Sequence, residues 1–531
     1  MGRHHAGHSF LRAFVAGRTG PVVAMGLEKS TAEEFNSAVS AIDPSAPTHW
    51  IAPHDFRSLA THDVLQIPGP GLGRQADVRR RYGSASWSLV GVTHTLSTTH
   101  VQAELAAMVA KPVMPWDAVI CTSQAARASV VTVLDAQREH LAERLGASRF
   151  PTLMLPVIPL GVHTGDFDFN AARKEQARQR LGVRSDEVLA IFTGRLSFHA
   201  KAHPLPMYAA LQWAAERTGK KIVLAQSSWF ANAAIETAFK NGAARYCPAV
   251  RAIWSDGADV LARTDVWAAG DIFISLSDNV QETFGLTPVE AMAAGLPAVV
   301  TDWDGYRDTI RDGIDGFRIP TTMPAAPFGE ELAEDYQAER LNYDLFCAAT
   351  SLAVSVDMEI LTRRLTELVD NPELRLSMGA SGKSRARAEY DWTVILGRYR
   401  ELWAECRAVR LAAKSAGDVP AAPRSAGLDP FAIFASYPTH TIDGSTRLKA
   451  GPLFSRWTEI RGHGLFSHVP SVQPRFLRPE AAILAALGSD PSGVGLDGIA
   501  LSFGVPLRDV VMAAATLAKA GAVIFETQGL E

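Results

Sequence analysis

From Pro21 to Val162 the chain alternates short apolar runs with segments of helical periodicity. The runs are PVVAMG, HWIAP, DVLQIPG, WSLVGVTHT, DAVICTS and LMLPVIPLGV. Several are continuous rather than alternating apolar strings, which predicts strands buried on both faces of a parallel sheet. Intervening stretches such as AARASVVTVLDAQREHLAERL predict amphipathic helices. A second series begins at Val188, with VLAIFTGRL, KIVLAQS, DIFISLS, PAVVTDWDG and GFRIP. Two successive βαβ series, each of roughly 150 to 200 residues, predict an α/β protein with two doubly wound domains facing a cleft.

The pattern weakens over 321–356, where acidic and apolar residues mix; this stretch reads as an insertion, a flap or an interaction surface. Helical periodicity returns over 357–407. The string LAAKSAGDVPAAPRSAGLDP then predicts a linker. The boundaries expected are 1–162, 163–389, a helix 390–407, a linker 408–428 and a third unit 429–531. The last unit predicts helix, short helix, turn at Gly504, longer helix and strand, a winged-helix-like α+β order. From Pro479 onward it carries two basic residues, Arg508 and Lys519, against six acidic ones. Such a surface repels phosphate, so protein contact or plain packing is expected of it rather than nucleic-acid binding.

Composition narrows the class. The 531 residues are 47% apolar and 20% charged with net charge −4, ordinary for a globular protein and no signature of nucleic-acid binding. Cys121, Cys247, Cys347 and Cys406 form no CxxC pair, which indicates neither a zinc site nor a disulfide framework and fits a reducing compartment. No apolar run approaches the roughly 18 residues of a membrane span. MGRHHAGHSFLRAFVAG lacks the form of a signal peptide, so a cytoplasmic protein is expected. RQADVRRRYG (74–83) reads as a solvated basic loop, with weak peripheral contact to an acidic membrane surface as the alternative.

The densest chemistry lies in QETFGLTPVEAMAAGLP, residues 281–297, where seven residues separate Glu282 from Glu290. Thr287 fits an N-cap, Pro288 the first helical position and Glu290 the third, so a capping box would account for two of these residues. Capping explains neither Glu282 nor Gly285. The loop also follows a parallel strand, where ligands of doubly wound folds bind. The amides of Phe284, Gly285 and Leu286 would face phosphate oxygens from the helix start, and Gly285 would admit close approach.

Together with EAMAAGLPAVVTDWDGYRDTIRDGIDGF, the E-x7-E spacing resembles the signature of retaining GT-B glycosyltransferases, especially glycosyltransferase family 4, over about residues 1 to 407. The resemblance implies that Glu282 contacts donor-sugar hydroxyls and Glu290 grips the ribose diol, with Phe284, Gly285, Leu286 and Thr287 lining the donor. It makes 1–162 the acceptor-side domain and 163–389 the nucleotide-sugar domain. In FTGRLSFHAKAHP it assigns Arg195 and Lys201 to the leaving diphosphate, with Gly194 beside the donor. Here Lys201 comes six residues after Arg195 where the family usually places it five after, so His199 or His203 is a candidate to share the work. GVTHTLSTTH offers His94 to the sugar site, with His100 a weaker candidate; Ser123 and Arg127 are candidate cleft residues. IPLGV, at 158–162, marks the crossing between domains, and YDWTVILGRYRELW is the helix that returns to the first. The family opens with a strand and a Gly-rich loop. This sequence begins with HHAGHSFLRAF, which reads as the loop itself with Gly7 as its glycine, so either the start lies upstream or the first sheet is unusual.

These readings imply transfer of a sugar, with retention, from a nucleotide-activated donor to a glycan or lipid-linked acceptor, as in polysaccharide assembly. No D-x-D metal site and no cofactor are expected. A GT-B sugar-nucleotide 2-epimerase and a non-catalytic sugar-nucleotide-binding scaffold remain open.

Overall fold

In the computed structural model the first five apolar runs become short parallel strands: β1 (Val22–Met25), β2 (Thr48–Ile51), β3 (Val64–Gln66), β4 (Ser88–Val92) and β5 (Ala118–Ile120). They pair as β1-β2 and as β3-β4-β5. The sixth run flanks β5 only through parallel bridges at Met154 and Val157. Pro156 and Pro159 have no amide hydrogen to give, so a full ladder is not available there. The structure describes residues 2–26, 28, 30–53, 55–198, 200–421, 429–467, 477 and 479–526, and divides into two units, Met1–Ala426 and Gly427–Glu531.

The second series forms one six-stranded parallel sheet from β6 (Glu187–Leu196), β7 (Lys221–Phe230), β8 (Val250–Asp256), β9 (Ile272–Ser275), β10 (Ala298–Thr301) and β11 (Gly316–Ile319). Its order, β11-β10-β9-β6-β7-β8, is doubly wound. Ala190 and Phe192 of β6 join one apolar layer while Leu189 and Ile191 join the other, so helices cover both faces. The strand order reverses between β6 and β9, which opens a crevice beyond their carboxyl ends.

Three expectations from the sequence change here. Gly7 lies inside a helix, Gly2–Ala16, and not on a loop; a Cβ there would meet nothing within 4 Å. Phe10 and Ala13 fall at helical spacing and pack on Trp392 and Tyr399, which favours the helix. The basic loop at 74–83 is largely a helix, Gly73–Arg80, whose Arg79 is fully buried. Its guanidinium makes a two-pronged ion pair with buried Asp117 at 2.5 and 2.7 Å, and Asp117 also accepts from the Leu89 and Met114 amides. Arg80 and Arg81 remain exposed. Finally, the closing helix, Trp392–Ala416, returns to the first half through Ile395, Leu396 and Leu402 but runs into the expected linker. LAAKSA is made mostly of good helix formers, and the helix stops at Gly417, whose φ of 77° is left-handed.

The stretch 321–356 folds as an insertion closed by an antiparallel pair, β12 (Thr321–Thr322) with β13 (Ser355–Val356). Between them lie helices Glu330–Gln337 and Tyr343–Leu352, clasped by stacked Tyr336 and Phe346 rings 4.3 Å apart. Tyr343 Oη lies 3.1 Å from Ser97 Oγ, in the loop after β4.

The unit Gly427–Glu531 has its own core around Ile483, Leu487, Ile499, Val510 and Leu517. Helices Glu480–Ser489, Leu496–Phe503 and Leu507–Lys519 precede a strand in the expected order, with Gly504 at φ 61° in the turn. The sheet is antiparallel, β15-β14-β16, from β14 (Arg447–Ala450), β15 (Val494–Gly495) and β16 (Val523–Glu526).

Candidate functional site

The loop after β9 turns at Gly285 into the helix Leu286–Ala294. Gly285 has φ 85°, and a Cβ there would fall 2.0 Å from Tyr306 Cε1. Both the dihedral and the phenol ring demand glycine. Gly285→Ala is therefore expected to cost about 2–4 kcal/mol, read as a lower denaturation midpoint with an unchanged m-value.

This turn also moves the helix start. Gly285 occupies the N-cap, with no side chain capping, so Thr287 and Glu290 form no capping box. Glu282 takes over: its Oε1 accepts from the Gly285 amide at 3.1 Å, and the Thr283 and Phe284 amides also stabilise its charge. The Gly285 amide expected to face phosphate thus points at Glu282. Phe284 is buried in the core against Tyr390, Leu286 packs on the same core, and the Thr287 hydroxyl pairs with the Tyr306 phenol.

From the other side of the crevice, the loop after β6 delivers Lys201. Its Nζ lies 2.5 Å from Glu282 Oε2. Burial opposes both charges, but each is outweighed by the other: Lys201 is raised to about 12 and Glu282 is held below its ordinary range. The extra residue in the Arg195–Lys201 spacing is accommodated in a bend where Asn279 Nδ2 donates to the Lys201 carbonyl at 2.5 Å. Arg195, at the end of β6, lies over the Trp229 ring and donates to Gln281 Oε1 at 3.2 Å. Gly194 beside it has φ 138° and leaves its strand face open except towards Phe192. His203 is engaged elsewhere: its ring caps the helix Pro204–Thr218, its amide donates to Asp278, and burial lowers its pKa. His199 lies outside the described residues.

Glu290 lies on the second turn of the helix. Burial pushes its carboxyl up to about 7, against the opposing pull of Arg263 and Lys201. Asp278, buried and bonded to Ser351 of the insertion at 2.8 Å, is pushed up to about 6 by burial. The insertion and the Lys201 loop thus share one carboxylate.

The first half meets this loop directly. Ser123 Oγ donates to the Thr283 carbonyl at 2.7 Å while also capping its own helix, and the Gln124 amide donates to Asp308 at 2.6 Å. Arg127 instead holds the Leu155 carbonyl. His94 is partly buried just beyond β4, in the loop whose Thr93 bonds the Thr122 amide. His100 is on the surface, 80% exposed, 3.6 Å from Glu104.

Four site residues escape sequence reasoning: Arg263, Asp278, Asp304 and Tyr306. DWDG shows the acid at 304 but not its backbone, which has φ 48°. Tyr306 carries no local signal, since its role is to fill the space that Gly285 leaves.

Residues 264–334, which include both glutamates, match the family model of glycosyl transferases group 1. A D-inositol 3-phosphate glycosyltransferase of Geodermatophilus obscurus is 30% identical over 203 residues, 37% of this chain and 42% of that protein. An uncharacterized glycosyltransferase of Methanocaldococcus jannaschii is 26% identical over 197 residues, 37% of this chain and 47% of that protein. The chain thus spans less than half the length of these curated relatives. Among solved structures, Anabaena HepE in complex with UDP superposes with a TM-score of 0.50 at 14% identity, over 75% of this chain and 96% of HepE. The fold is GT-B.

Proposed function

We propose that this chain is a retaining, hexosyltransferase-type glycosyltransferase of family 4 that moves a sugar from a nucleotide-activated donor to a glycan or lipid-linked acceptor. The observation that carries this reading is the Lys201–Glu282 ion pair, set at the β6/β9 switch point beside Arg195 and the helix bearing Glu290. A doubly wound sheet binds ligands there. The matched family model and the named activities of the relatives support the reaction class, and UDP in HepE supports a nucleotide donor.

Glu290 would accept hydrogen bonds from the ribose diol, each worth about 1.5–3 kcal/mol as a charged bond. Arg195 and Lys201 would neutralise the leaving diphosphate, so the reaction would need neither metal nor cofactor. Glu282 and His94 would hold the sugar while the acceptor hydroxyl attacks from the face that the leaving group vacates. The sequence offers no clear nucleophile for a double displacement. The protein would work in the cytoplasm, at the inner face of the membrane when the acceptor is a lipid. Its Gly427–Glu531 unit would act as a winged-helix-like protein-contact module.

A thermal-shift screen of UDP, GDP, ADP and their sugar conjugates tests this. A nucleotide at about 100 times its Kd should add about 2.7 kcal/mol of stability to the wild type and much less to Glu290→Ala. Turnover of a donor without acceptor would select the epimerase, and binding without turnover the scaffold. No response to any nucleotide would reduce the site to an ion pair beside a helix.

A further inference from the structure

The turn after β10 holds an acid in a conformation that glycine would adopt more readily. Asp304 has φ 48°, the left-handed region, which aspartate tolerates better than most side chains but glycine tolerates without cost. Its neighbours pin the turn. Trp303 Nε1 donates to the Asn279 carbonyl at 3.0 Å, in the loop that also holds Lys201. On the other side, a Cβ on Gly305 would fall 2.4 Å from Phe284 Cα, so the turn is pressed against the start of the Glu290 helix. The turn that carries Asp304 is thereby held against both the Asn279 loop and the start of the Glu290 helix.

Asp304 Oδ2 is buried and accepts no hydrogen bond among the described residues. The carboxyl also accepts from the Gly305 amide, but a buried carboxyl oxygen left without a partner is costly, and structural roles seldom leave one. Burial, and next the nearby Glu282 charge, push its pKa well above the ordinary carboxylate range, against the Gly305 amide and Lys201. The two acids are therefore complementary. Glu282, paired with Lys201, is an acceptor only, whereas a protonated Asp304 can also donate. A ligand with adjacent hydroxyls, each both donor and acceptor, matches that pair; a phosphate does not.

We propose that Asp304 is a sugar-reading residue, hydrogen-bonding a hydroxyl of the transferred hexose and selecting among sugars carried on one nucleotide. This rests on the donor-site reading above and adds to it a specificity determinant outside the E-x7-E signature. The residue acts on the sugar and not on the nucleotide.

The test is calorimetric titration of full-length wild type, Asp304→Asn and Asp304→Gly with UDP, GDP, UDP-glucose, UDP-galactose, UDP-N-acetylglucosamine and GDP-mannose. In both variants the free nucleotide should bind within about twofold of wild type. The preference for the best conjugate over its sugar epimer should fall about tenfold in Asp304→Gly and less in Asp304→Asn, which keeps one acceptor and the shape. Asp304→Gly should melt at or above wild type, because it relieves the left-handed turn, which shows that lost selectivity is not lost folding. Sugar preferences unchanged in both variants would overturn the proposal, as would an equal loss of nucleotide and conjugate affinity, the mark of a structural prop. If no nucleotide binds the wild type, the donor-site reading itself fails and this inference falls with it.

Discussion

Lys201→Met is expected to lower the rate of sugar transfer by about 10²–10³, with a much smaller change in donor KM. Lys201 lies 2.5 Å from Glu282, so a carboxylate partner holds the ammonium in place. Charge that develops on a leaving oxygen would then meet a cation needing no reorganisation, which is where such groups act most strongly. Methionine keeps the length and apolar stem but removes the charge. It also leaves Glu282 partly buried with only the backbone amides of Thr283, Phe284 and Gly285 to offset its desolvation. Breaking a fully buried pair costs about 3–5 kcal/mol; Lys201 retains 33% of its side-chain surface and Glu282 14%, so a loss of about 1–3 kcal/mol is expected.

The pH dependence separates this pair from a generic packing defect. Glu282 titrates below its unfolded value, so its contribution is full above the ordinary glutamate pKa and is lost as pH falls through the lowered one. Lys201 titrates above its unfolded value, so its contribution is full below the ordinary lysine pKa and is lost as pH rises through about 12. The stability gap between wild type and Lys201→Met, measured by urea unfolding, should therefore be widest near neutrality and close in acid. A gap that persists unchanged in acid would mean that packing, and not charge, was lost.

The sheet was legible because burial on both faces writes itself as unbroken apolar strings. VLAIFTGRL became β6 but for one residue at its start, and KIVLAQS became β7, which runs three residues further to Phe230. The strand that escaped, VRAIWSD, is β8, at the edge of the sheet, where six of its seven residues are only partly buried or exposed and the string is broken by Arg251 and Ser255. The helix start departs from its local signal for a related reason. Thr287, Pro288 and Glu290 satisfy the local rules of a cap, but the decisive partner was Tyr306, brought in from the next strand-to-helix turn to demand a left-handed Gly285. Arg79 looked like one of several solvated cations until Asp117, 38 positions away, removed it from water. Local pattern specifies elements, while partners distant in sequence decide which polar residues are buried. The glutamate pair was visible as spacing; the left-handed backbone of Asp304 and its unpartnered Oδ2 were not.

Affinity for a nucleotide-sugar is expected to rise about tenfold between pH 6 and pH 8, and Glu290→Gln is expected to abolish most of that rise. Glu290 is pushed up to about 7 by burial, with Arg263 and Lys201 pulling back. An ionised carboxylate accepts from both hydroxyls of a diol, whereas the protonated group must spend one oxygen as a donor. With a midpoint of about 7, the ionised fraction climbs from about one-tenth to about nine-tenths over those two pH units, which sets the tenfold. The ligand must be a sugar conjugate such as UDP-glucose and not UDP, since a terminal phosphate itself titrates near pH 6. Asp278, pushed up to about 6, titrates in the same window, and the Gln variant isolates Glu290 from it. The unliganded protein should show the opposite trend. A carboxyl raised above its unfolded value gives its full stability below the ordinary glutamate pKa and loses it as pH rises through about 7, so thermal stability should decline over that range and decline less in Glu290→Gln. Binding that strengthens with pH while the free protein weakens would identify a group whose charge is unfavourable until a diol arrives. Equal slopes in wild type and Glu290→Gln would remove Glu290 from the ribose site.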